Sequence, residues 1–277
     1  MLVKRPVTTF FALAFLFSWI MWLPAVLLTY GLVEEASFIG GIAKPVGFLA
    51  GIGPSAVAFL LVALDGGRNG VKALLKRGVG FRLGRWYWPV ILIVPTVLIL
   101  AHILNCLLGG SFPKTGGLEQ PCLIPPVFMG LFVLRRGAEF GWRGFALDAL
   151  QKNRGAVHAS VILGVLWSLW HIPMFLASGF GHHDYRLPFG QLLVTLVLVS
   201  ILITWVQNNT GGSLIPAFVF HTYVNLSGEV LPLIERNREA QGDYTAWIIA
   251  NALFAIVVVC VVYRWGARTL TGSGPSD

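Results

Sequence analysis

Polar residues are sparse along this chain and cut it into long apolar runs. Eight such runs can be read, at roughly 8–30, 44–64, 87–108, 124–150, 156–178, 188–207, 212–233 and 245–264. Each is near the length of about 20 residues that an α-helix needs to cross a bilayer. The pattern predicts an all-α polytopic membrane protein, a bundle of about eight transmembrane helices. The first run is too long for a signal peptide, contains Trp19, Trp22 and Pro24, and has no convincing small-residue cleavage site. The fourth carries Arg135, Arg136, Glu139 and Arg143 in an otherwise apolar stretch. Hydropathy alone would end it near Leu134, but Phe145, Leu147 and Leu150 continue the apolar pattern to the polar turn at 151–155.

Composition narrows the class further. Of 277 residues, 56% are hydrophobic and 12% charged, against roughly 25% charged in ordinary globular chains. With a mean hydropathy of +0.76, too little polar surface exists to coat a soluble globule. Disorder, collagen and coiled coil are excluded by the same numbers. Cys106, Cys122 and Cys260 are too far apart in sequence for a CxxC site or a disulfide framework. With no internal repeat, low-complexity tract or soluble module visible, residues 1–277 read as a single membrane domain.

Charge sets the orientation. With the amino terminus inside, inner segments hold twelve Lys and Arg, from Lys4 and Arg5 to Arg264 and Arg268. Outer loops hold five: Lys44, Lys114, Arg186, Arg236 and Arg238. The positive-inside rule therefore places both termini in the cytoplasm. The net charge of +8 matches the pull of anionic inner-leaflet lipid, and no nucleic-acid fold accompanies it. The short loops suggest a prokaryotic plasma membrane. The tail 269–277 reads as a frayed end.

A titratable side chain in hydrocarbon costs at least ~2.5 kcal/mol, so each one needs a reason. Glu139 and Arg143 are four apart, on one helix face, and can pair. His221 and Asn225 are also four apart. From the expected span ends, Glu139 lies roughly 16 Å in, His171 roughly 22 Å and His221 roughly 14 Å. Three helices thus bring a carboxylate and two imidazoles to nearly one layer. A structural ion pair is the alternative for Glu139 and Arg143, and Gly137, Gly141 and Gly144 suit close helix packing. His102 and His158 read as structural, and His182 and His183 as solvated in an outer loop.

These residues resemble the motifs of the CPBP family of intramembrane proteases, which includes the Rce1-type CAAX prenyl endopeptidases and the bacteriocin-immunity Abi proteins. Ala138-Glu139-Phe140-Gly141-Trp142-Arg143 resembles its Glu-Glu-x-x-x-Arg motif. Trp167-Ser168-Leu169-Trp170-His171 resembles its aromatic-x-x-x-His motif, and His221-Thr222-Tyr223-Val224-Asn225 its third. The resemblance covers 120–235, the catalytic motif region, and implies an endopeptidase of membrane-associated peptide or CAAX-type lipidated protein substrates. It implies catalytic roles for Glu139, His171, His221 and Asn225, with Arg143 orienting Glu139 or binding a substrate carboxylate. One position departs: the family's first Glu, assigned to activating the attacking water, falls on Ala138. That implies a catalytically dead chain, through either an introduced substitution or a natural loss.

Peptide hydrolysis needs an activated water, an oxyanion stabiliser and a proton for the leaving amine. A carboxylate can serve as base and then acid, with imidazoles and an amide as donors. Alternatively Glu139, His171 and His221 could hold zinc with an open water position. A non-catalytic pseudoprotease and a transporter or binding scaffold are the other readings.

Overall fold

The computed structural model describes residues 6–81, 83–112, 121–234 and 243–271. Several basic residues of the charge count, including Lys4, Arg5, Arg82, Lys114, Arg236 and Arg238, lie outside them. Among the described residues there is no β-strand, so the protein is all-α. The main helices are α1 (Pro6–Thr29), α2 (Phe38–Leu49), α3 (Gly53–Arg77), α4 (Tyr87–Leu107) and α5 (Ile124–Gly141). A π-helical turn, Trp142–Ala146, joins α5 to the short α6 (Leu147–Gln151). Then come α7 (Ala156–Trp170), α8 (Ile172–Leu176), α9 (Gly181–Asp184), α10 (Phe189–Asn208), α11 (Ile215–Val230) and α12 (Thr245–Trp265).

Six helical stretches are long and apolar enough to cross a membrane among the described residues. Exposed Phe48, Trp88, Val259 and Tyr263 give their outer faces an apolar surface, as lipid-facing helices require. The protein is therefore an integral membrane protein. The expected count of eight rests on two further segments. The α5–α6 stretch carries its intramembrane charges, and α11 is only 16 residues long. The second expected run, 44–64, is divided by a 3₁₀ turn at Ala50–Ile52. Helix resumes at Gly53 and kinks at Gly67, whose φ of 56° is not helical, before a further helical stretch runs to Arg77. Leu74 in that stretch is buried against the π turn, facing Gly144.

Proline and glycine place the site. Pro173 has no N–H for a bond to Leu169, and it disfavours helical geometry in the residue before it. The helix accordingly breaks at His171, between α7 and α8. Close helix approach is bought with glycine. A Cβ on Gly141 would lie 2.4 Å from the Pro54 backbone, and one on Gly164 would lie 2.6 Å from the Val197 Cα. The tail is corrected in part: Leu270 is fully buried, and the Asn208 and Asn209 amides donate to the Thr269 and Leu270 carbonyls. Residues 272–277 lie outside the described ones.

Gly141→Ala should therefore lower stability by about 1–3 kcal/mol through overpacking against α3. Gly130→Ala, on the same helix with nothing within 4 Å of the added methyl, should be neutral or stabilising, by up to about 1 kcal/mol. Thermal unfolding of both variants in detergent tests this; equal melting points would contradict the close contact.

Candidate active site

Glu139 sits in the last turn of α5, where the helix widens into its π turn. Such turns are rare and recur at functional sites. Arg143, one turn on, donates through Nη1 to Glu139 Oε1 at 3.0 Å, and both side chains are fully enclosed. His221, from α11, places Nδ1 at 2.7 Å from the same oxygen. A carboxylate oxygen only accepts, so Nδ1 carries the proton and Nε2 is the acceptor nitrogen of the neutral ring. Among the described residues Oε2 has no protein donor, and neither Nε nor Nη2 of Arg143 has a protein acceptor.

Trp167 is the common wall. The Arg143 guanidinium carbon stands 4.2 Å from its ring centroid, within cation–π range. His221 meets the same indole edge-on at 5.0 Å, and His171 packs against it at 6.1 Å. Both imidazoles therefore contact one indole. The proline break sets the His171 ring: Nδ1 donates to the Trp167 carbonyl at 2.8 Å, again leaving Nε2 without a proton when the ring is neutral. Asn225 uses one amide hydrogen on the His221 carbonyl at 2.8 Å. Ala138 is buried, and its methyl belongs to the main apolar core.

Two neighbours escaped the sequence reading. His182, expected to be solvated, is half-buried in α9 and stacks on His171 with ring centroids 5.4 Å apart. Its loop position gave no periodicity to signal this. Gln207, fully buried near the end of α10, donates to the Arg143 carbonyl at 3.1 Å. A polar residue inside an apolar span was the available signal there. His102 is buried with Nε2 3.5 Å from the Leu231 carbonyl, and His158 is exposed.

The donor set does not fit a metal in this arrangement. Among the described residues no three His, Cys, Asp or Glu side chains gather within reach of one ion. Glu139 and His221 instead bond each other directly. The cluster can position an imidazole and hold charge out of water, which are tasks of acid–base and oxyanion chemistry.

The result is an all-helical membrane protein with an enclosed Glu–Arg–His cluster. A family model for Type II CAAX prenyl endopeptidase Rce1-like proteins matches residues 120–227. The chain is also 26% identical, over 92% of both sequences, to CAAX prenyl protease 2 of Methanococcus maripaludis. Both similarities point to the Rce1-like CAAX prenyl endopeptidases.

Arg143→Met should cost about 3–5 kcal/mol, because it strands a carboxylate in the core. Adding Glu139→Gln to it should recover much of that loss. Unfolding of the two variants in detergent is the measurement; a double variant no more stable than the single one would contradict the charge coupling.

Proposed function

We propose that this protein is built as an intramembrane endopeptidase for a membrane-associated peptide or CAAX-type lipidated protein, and that Ala138 leaves it catalytically dead. The observation that carries the reading is the enclosed 2.7 Å contact between Glu139 and His221, in a chain similar to CAAX prenyl endopeptidases. We place both termini in the cytoplasm of a prokaryotic cell, on the distribution of Lys and Arg.

The chemistry divides among the residues as follows. Glu139 holds the His221 Nδ1–H, so the ring presents Nε2 to substrate. The neutral ring can take a proton there, and the imidazolium held by Glu139 can return it to the leaving amine or donate to an oxyanion. His171, tethered through Nδ1, offers a second Nε2. Asn225 keeps one amide hydrogen and its carbonyl for polar contacts, and Arg143 anchors Glu139. A carboxylate at 138 would take the proton of the attacking water; the methyl of Ala138 cannot. We favour a reaction that uses these side chains alone, because no three ligand side chains gather around one point among the described residues. Zinc held by Glu139, His171 and His221 is the reading that this arrangement does not fit.

Ala138→Glu should create cleavage of a membrane-embedded peptide or prenylated CAAX peptide where the present chain gives none. Equal, substantial cleavage by both forms would show that position 138 is not catalytic. Binding by both with cleavage by neither would favour a pseudoprotease. Activity of the Glu variant should survive a strong chelator; loss on chelation with recovery on added zinc would overturn the metal-free reading.

A further inference from the structure

A cleft of about 420 Å³ opens at the bundle end formed by α6, α10 and the strap after α12, lined by Asp148, Gln151, Arg154, Asn208, Arg268 and Thr269 among others. Its volume is within the roughly 300–1,000 Å³ of ligand sites. Its charge is one-sided. Asp148 is the acid in the lining, and Arg77 holds it through both carboxylate oxygens. Arg154 and Arg268 have no acidic partner among the described residues.

The strap carrying Arg268 is fixed, not loose. The first N–H groups of α7 lack a side-chain cap, and backbone carbonyls fill that role. Ala156 N–H donates to the Arg268 carbonyl at 2.7 Å and Val157 N–H to the Ala267 carbonyl at 3.1 Å. Asn208 ties the Thr269 carbonyl at 2.9 Å, and a reciprocal amide pair links Asn208 to Gln151. The backbone of Arg268 is thus fixed beside the segment that carries Arg154.

The cleft also lies at a marked depth. Trp86, Trp205 and Trp265 form a mutual cluster with ring centroids 5.0–6.3 Å apart. Arg85 and Arg264 stand over two of these rings. Trp205 and Trp265 lie within one helical turn in sequence of the lining residues Asn208 and Arg268. Indoles flanked by arginines belong at the membrane–water interface, the layer of lipid phosphates, and basic pockets between helix ends at that layer suit anionic headgroups.

We propose that this cleft is a binding site for a phosphate group of net negative charge, with no cation of its own, gripped by the guanidinium forks of Arg154 and Arg268. Gln207 lines the cleft and also bonds the Arg143 carbonyl, but the proposal rests on Arg154 and Arg268 and stands whether or not the chain is a protease. The test titrates the full-length protein in neutral detergent with short-chain phosphatidylglycerol, phosphatidylcholine or inorganic phosphate, reading bound ligand by native mass spectrometry. Phosphatidylglycerol should bind at least about tenfold more tightly than phosphatidylcholine. The R154Q/R268Q variant should lose that preference. R85Q/R264Q, which removes the same charge from the same belt outside the cleft, should keep it. Competition by millimolar inorganic phosphate would assign the site to free phosphate as well as lipid; lack of competition would assign it to the headgroup. Equal binding of both lipids with no phosphate bound, or equal losses in the two double variants, would overturn the proposal. If R154Q/R268Q does not fold, R154Q and R268Q are measured singly, and unchanged preference in both would overturn it too.

Discussion

An ion cannot be left alone in hydrocarbon, and much of this fold is arranged around that constraint. Glu139 and Arg143 are both fully enclosed, where each would cost several kcal/mol without a partner. They sit one turn apart on a single helix, so the pair forms with little conformational loss. That pair then fixes its surroundings: His221 must approach from α11 to reach Oε1, Trp167 must face the guanidinium, and Gln207 must reach the Arg143 carbonyl. α5, α7, α10 and α11 are therefore tied to one ion pair as well as to the apolar core.

Regular helix alone would not deliver these groups. The π turn follows Glu139 directly, and the helix break falls on His171 itself. Irregular backbone at membrane depth survives only where protein covers it. Here the cover is aromatic: Trp142 and Trp170 pack edge-on, and Phe10 closes on Trp142. The break turns the His171 ring so that Trp167 accepts from Nδ1 while His182 stacks on its face. A continuous helix with an ordinary residue at Pro173 would provide no such turn.

How much of this was legible beforehand follows from which physics is local. The helices show in the apolar runs because lipid imposes a length that hydropathy records. The Glu139–Arg143 pair shows because its geometry is a fixed spacing within one helix. The close packing at Gly141 shows in the small-residue pattern. The end of α3 did not show: its last turns are polar in sequence and are held by the burial of Leu74 against another helix. His182 did not show because it arrives from a loop, where no period ties sequence to direction. The tail at Leu270 was misread for a similar reason, since its anchors are side chains of α10 some sixty residues away.

The cluster also leaves Glu139 no freedom to serve the neighbours of position 138. Consecutive helical residues point about 100° apart, so the two positions address different neighbours. Glu139 is further committed: one oxygen already accepts from Arg143 and from His221. Drawing it toward a water on another face would break both contacts and leave a guanidinium without its anion in the core. Its role is then to hold an imidazole, and that role survives a methyl at the adjacent position. The scaffold around Glu139 therefore does not depend on a carboxylate at 138.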